Sequence, residues 1–233
     1  MAPGITPVGE DGLLVEFEAE ISAEVNTRVR RLAFGLEKET LPGVVEIVPA
    51  YRSLMLYYDP FAVTPKELAD SVLDCARRAE SVELPPPRLF RLPTVYGGEY
   101  GPDLAQVAMR ASLSEAGAVA LFSTLRLPVY CLGFLCCLAY LGDVPPALHL
   151  PRLATPRTRV PSGSVGIAGG QAVVLPLDQP SGFHYLGRTF VTLYDPEVEP
   201  PTPIRPGDLL EFPAVPEAEA LAWKGRTLGD CRC

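Results

Sequence analysis

Apolar positions in the first third of the chain switch between two periods. The run from Leu13 to Phe17 reads as a strand. After Ser22, a residue suited to cap a helix, Val25, Val29, Leu32 and Leu36 fall at the spacing that gives a helix one buried stripe. Val44 to Val48 and Leu54 to Tyr58 are β-rich runs around a short connection at Tyr51-Arg52. Thr64-Pro65-Lys66-Glu67 then predicts a helix start: Thr64 caps, Pro65 suits the first helical position and Glu67 completes a capping box. Leu68, Val72 and Cys75 or Ala76 supply its inner face. A strand at Leu89 to Leu92 would complete the order β-α-β-β-α-β, the split βαβ arrangement.

Glu83-Leu84-Pro85-Pro86-Pro87 is a stiff, extended linker. The expected organisation is residues 1–84 as an α+β domain, 85–215 as a second domain, and 216–233 as a loosely attached tail. In the second domain, Asp103 to Arg110 and Ser112 to Leu121 predict short helices, with a capping box from Ser112 and Glu115. Past Leu127, short apolar runs are punctuated by glycine and proline. Val165 to Ile167, Ala172 to Leu175, Phe190 to Tyr194 and Leu209 to Phe212 are the strand candidates, and together they point to a compact β-barrel.

Composition supports that picture. The 233 residues include 26 prolines, about twice the usual share, which favours turns and β structure over a helical bundle. The formal charge of −8, with no basic arm, argues against a nucleic-acid partner. The longest apolar run, Leu127 to Leu141, is too short to span a bilayer and is interrupted by Pro128 and Gly133. No secretory signal follows Met1-Ala2-Pro3-Gly4, so the chain is expected to be cytoplasmic. Cys75, Cys131, Cys136, Cys137, Cys231 and Cys233 form no paired C-x-x-C array, so no metal site is expected. Cys131, Cys136 and Cys137 read as small core residues, and Cys231-Arg232-Cys233 as an exposed, oxidisable tail.

Anion-binding chemistry is densest from Pro156 to Gly169. Arg157 and Arg159 alternate, so an extended segment would aim both guanidiniums to one side. They either clamp a carboxylate or phosphorylated group, or pair with acidic residues of this chain or of a partner. Ser162 and Ser164 flank Gly163, but no histidine with an orienting acid is adjacent in sequence and the pattern is not G-x-S-x-G. Hydrogen-bonding or turn-forming serines are the better account. Gly163, Gly166 and Gly169 lack the Lys-Ser/Thr of a P-loop. His184 is an acid–base candidate or a structural loop residue. Tyr96 and Tyr140 are either pocket walls with hydroxyl tips or core. Asp103 is expected to cap a helix.

Several segments resemble the allophanate hydrolase subunit 1 family. They are Pro49-Ala50-Tyr51-Arg52-Ser53, Tyr96-Gly97-Gly98 with Tyr100 to Leu104, Leu132-Gly133-Phe134, Tyr140-Leu141-Gly142, and Pro151-Arg152 through Val165. Gln171, Pro176 and Leu186-Gly187-Arg188-Thr189 extend the likeness, which runs in order from about residue 8 to about 215. The resemblance implies an α+β chain, with a ferredoxin-like domain followed by a cyclophilin-like β-barrel. It adds Gln171 and Arg188 to the substrate-binding candidates, with bracing of the barrel as the rival role for Arg188.

It further implies a subunit of a hydrolase, not expected to be catalytic alone. Family members include the B subunit of an ATP-dependent 5-oxoprolinase, which works with a related C subunit and a third, lactam-opening protein. They also include an inhibitor of a histidine kinase. On this resemblance ATP is used by the hetero-oligomer, not bound by this chain. The sequence departs from the family at Phe122, at Cys136-Cys137-Leu138, at Ala172-Val173 and at Ser181-Gly182-Phe183, motifs expected to line the shared cleft.

Overall fold

The computed structural model describes residues 3–135 and 137–232. It divides into two compact units, Met1–Pro86 and Pro87–Cys233.

In the first unit β1 (Gly4–Val8) and β2 (Gly12–Glu16) form a hairpin. Then come α1 (Ala23–Glu39), β3 (Val44–Pro49), β4 (Ser53–Tyr58) and α2 (Pro65–Ala79). Ser22 accepts a hydrogen bond from the Val25 N–H at 3.3 Å, and Thr64 and Glu67 form the reciprocal capping box. The sheet order is β1-β2-β4-β3, all neighbours antiparallel. Leu32 and Leu36 of α1 and Leu68 and Val72 of α2 pack with Leu13, Val15, Leu54 and Leu56 of the sheet as one buried cluster.

The split βαβ expectation fails at its last strand. Residues 89–91 do not join this sheet; β1 takes the edge beside β2 instead. Neither the β1 hairpin nor the loss of residues 89–91 could be read from local pattern, because both are decided by pairing.

The second unit begins with β5 (Leu89–Arg91) and β6 (Thr94–Tyr96). Helices α3 (Leu104–Arg110) and α4 (Glu115–Ser123) follow. Ser114, not Ser112, caps α4, through its bond from the Gly117 N–H; Ser112 sits at φ +56° in the link between the helices. The apolar run becomes the hairpin of β7 (Leu127–Gly133) and β8 (Leu138–Leu141). Next are β9 (Arg157–Val160), β10 (Ser164–Ala168), β11 (Gln171–Val174), β12 (Gln179–Ser181), β13 (His184–Thr189) and β14 (Leu209–Glu211). The strand expected at Phe190 to Tyr194 lies one segment earlier, as β13. From Phe190 on, pairing is reduced to a bridge between Thr192 and Thr227.

Eight strands form one sheet in the order β5-β14-β7-β8-β11-β10-β13-β6. Its two outer strands are consecutive in sequence, joined only through Leu92 and Pro93. A flat sheet of this width would hold its edges about 34 Å apart, whereas three residue steps reach only about 11 Å. The sheet therefore curls until its edges come within reach of that link. Alternate residues go to opposite faces, and both faces are buried. Ala139, Leu141, Ala172 and Val174 face the large cluster around Phe90, Phe122 and Phe212. Leu138, Val173 and Leu175 face a smaller cluster with Phe183 and Tyr185.

The segment from Pro216 is not a loose tail. Helix α5 (Glu217–Leu221) and a following 3-10 turn bury Ala220, Leu228 and Cys231, and Arg232 bridges to Phe90. Cys231 is accordingly not exposed, and its thiol donates to the Thr227 carbonyl. Cys136 and Cys233 lie outside the described residues. No described helix is long and apolar enough to cross a membrane.

Candidate functional site

The smaller apolar face ends in an open hollow of about 250 Å³. The strands β8 and β11 supply its floor through Leu138, Tyr140 and Val173, with Leu175 just past β11. The β12 segment Gln179-Pro180-Ser181, with Gly182 and Phe183, forms one wall. Arg152, Pro156 and Phe134 complete the lining. Alternation sends Leu138 and Tyr140 here while Ala139 and Leu141 enter the main core.

Two polar groups in this hollow lack an ionic or hydrogen-bonding partner among the described residues. Arg152 stacks over the Phe183 ring at 4.8 Å and makes no ion pair with any described residue. Gln179 is only 3 % exposed, and its Oε1 accepts no hydrogen bond. A buried acceptor without a donor is costly unless a ligand or water satisfies it. Tyr140 is raised above the usual phenol range by burial, with the charge of Arg152 opposing. Ser181 is already committed: its hydroxyl accepts from Tyr185 Oη at 2.6 Å and from the Phe183 N–H at 3.3 Å. Burial pushes the Tyr185 phenol up to about 12. Tyr185 thus serves as a neutral donor. Chemically, the hollow offers a free cation, an empty amide carbonyl and apolar walls.

Among the nine substrate-binding candidates only Tyr140 lines this hollow. Arg157 instead grips the buried Asp103 bidentately, at 2.7 and 2.9 Å, and Asp103 also accepts the Tyr185 N–H at 2.7 Å. Asp103 precedes α3 but makes no side-chain cap; it ties β9 to β13. Arg159, 79 % exposed, pairs with Asp178, whose other oxygen accepts the Ser162 N–H. That backbone bond first, and Arg159 second, hold the Asp178 carboxyl below its ordinary value. The clamp expected of these two arginines gives way to its rival: both are satisfied by acids of the same chain.

The remaining candidates are scaffold. Arg188 donates from Nε to the Ser162 carbonyl and stacks over Phe190, a bracing role. Ser164 is buried in β10, and Gln171 opens β11 opposite Ala168. Tyr96 donates to the Phe212 carbonyl and meets Phe122 edge-on in the core. His184 is 4 % exposed and its Nε2 bonds the Pro151 carbonyl at 2.9 Å, fixing the segment that carries Arg152.

Sequence reasoning did not single out Gln179, and it met Arg152 only within the family-like segment Pro151-Arg152 through Val165. One signal pointed to this hollow. Of the departures from the family pattern, Leu138, Val173, Ser181, Gly182 and Phe183 all line the hollow. Phe122 and Ala172 do not; they are core.

The sequence matches the family described as carboxyltransferase domain, subdomain C and D, over residues 3–204. It is 33 % identical over 234 residues to the B subunit of 5-oxoprolinase from Bacillus subtilis, covering 94 % of this chain and 96 % of that one. The Escherichia coli O157:H7 protein of the same name is 38 % identical over 218 residues, covering 92 % and 96 %. Among solved structures, a conserved uncharacterized protein from Pyrococcus horikoshii is 37 % identical. It covers 92 % of this chain and 99 % of that one, with a TM-score of 0.55. The urea carboxylase of Kluyveromyces lactis shares the fold, with a TM-score of 0.77 at 19 % identity over 94 % of this chain and 22 % of that one.

Proposed function

Because the chain belongs to the carboxyltransferase domain family, subdomain C and D, we propose that it is the B subunit of an ATP-dependent 5-oxoprolinase. It would open 5-oxoproline to glutamate together with a C-type subunit. One observation carries the placement of substrate: an uncommitted guanidinium and an orphaned amide carbonyl share one hollow. 5-Oxoproline bears the complementary groups, a carboxylate and a lactam N–H. Arg152 forks onto the carboxylate, and Gln179 Oε1 accepts the lactam N–H. Val173, Leu175 and Phe183 shelter the ring methylenes.

The hollow holds the ring and does not break it. Its described lining contains no carboxylate, thiol or imidazole to serve as base or nucleophile. The three glycines of residues 163–169 belong to β10 and its turns, not to a phosphate cradle. Binding of ATP and activation of the lactam carbonyl are therefore assigned to the partner chains, the C-type subunit and a third, lactam-opening protein. The test is reconstitution with those partners, 5-oxoproline and ATP, following glutamate. Glutamate formation that requires this chain supports the reading; an assembled complex that yields none overturns it.

A further inference from the structure

The first unit carries a hollow of its own, of about 290 Å³, between α1 and the C-terminal half of α2. Leu32, Leu73, Ala76 and Ala79 give it apolar walls, and Arg28, Arg31 and Arg77 stand around it. Three guanidiniums and the carboxylate of Glu80 stand around it. Two of the three have partners. Arg28 pairs with Glu18 at 2.5 and 2.6 Å and stacks over Phe17 at 5.0 Å, and Arg77 pairs with Asp74. Arg31 pairs with no described carboxylate, and its Nε is shut off from solvent with no hydrogen-bond acceptor among the described residues.

We propose that this hollow is a second binding site, which takes a compact organic anion with an apolar body. The anion supplies the acceptor that Arg31 lacks, and the apolar walls cover the body. The volume lies at the lower edge of small-ligand sites, roughly 300 Å³ and above, so a helix or folded partner does not fit. The site is distinct in chemistry from the Arg152 hollow, which presents a buried amide carbonyl to an N–H donor; no amide side chain lines this one.

The experiment titrates the intact chain with 4-phenylbutyrate and with the neutral 4-phenylbutanol, reading backbone amide shifts by NMR. The carboxylate should perturb Arg31, Leu32, Leu73 and Ala76 and bind at least tenfold more tightly than the alcohol. Arg31→Met keeps the apolar stem and removes the charge. It should weaken 4-phenylbutyrate at least tenfold while the unfolding midpoint holds or rises, since a buried unpaired N–H is gone. Ala76→Leu fills the hollow without touching a charge and should abolish binding. Equal affinity for acid and alcohol overturns the proposal. So do shifts that miss these four residues, or an Arg31→Met chain that binds as before.

Discussion

At the scale of single residues, the arginines differ in whether a carboxylate of the same chain already pairs with them. Arg152 is the unpaired guanidinium of the second unit's hollow, so Arg152→Met should raise the KM for 5-oxoproline about 10- to 100-fold. That corresponds to losing one charged hydrogen-bonding interaction of about 1.5–3 kcal/mol. Stability should stay level, because no partner is orphaned. Arg157 is the opposite case. Removing its buried partner in Asp103→Ala leaves a guanidinium and the Tyr185 N–H without acceptors, and should cost about 3 kcal/mol in urea unfolding. Asp178→Ala frees the exposed Arg159 and the exposed Ser162 N–H, both of which water can serve, and should cost less than about 1 kcal/mol. Local sequence made Arg157 and Arg159 look like twins. Their difference lies in partners that sequence does not bring near, Asp103 being 54 residues away. Gly163 was legible as a turn glycine. Its φ of +77° and the Thr189 carbonyl, which stands against the place a Cβ would take, leave no room for alanine.

At the scale of elements, helices were readable and sheet edges were not. The caps at Ser22 and Thr64 and the stripe Val25-Val29-Leu32-Leu36 are local signals, and the structure contains them as read. Residues 89–91 also form a strand, but which sheet receives it depends on β14, whose pairing residues come 120 positions later. Glu211 of β14 accepts from Arg91 and Arg126, both at 2.7 Å. Burial alone would raise its carboxyl; the two guanidiniums outweigh burial and hold it below its ordinary value. Such a group adds stability above the unfolded pKa, about 4.3, and loses it as pH falls through the folded value. Urea midpoints of the native chain and of Glu211→Gln should therefore differ most near neutrality and converge as pH drops from about 5 toward 3.

At the scale of the molecule, two units are stabilised by separate clusters of buried side chains. The proline-rich linker at residues 83–87 and the change of pattern beyond it were the local signals for a boundary there. The role of the last eighteen residues was not visible, because short, mixed-charge sequence carries no periodic signal. A chain ending at Val215 should lose at least about 3 kcal/mol from the second unit, since Ala220, Leu228 and Cys231 leave its core. Near-ultraviolet circular dichroism and urea unfolding of the shortened chain would report this.

The bridge from Phe90 to Arg232 also sets an order of assembly during synthesis. The Met1–Pro86 unit has all its strands as soon as residue 86 leaves the ribosome. The curled sheet, in contrast, begins with β5 and waits for β14 and the closing segment, which are translated more than a hundred residues later. For more than a hundred residues of elongation, β5 has no neighbour to pair with. A nascent chain arrested before residue 209 should therefore show a protease-resistant fragment from the first unit alone, with the second still open to chaperones.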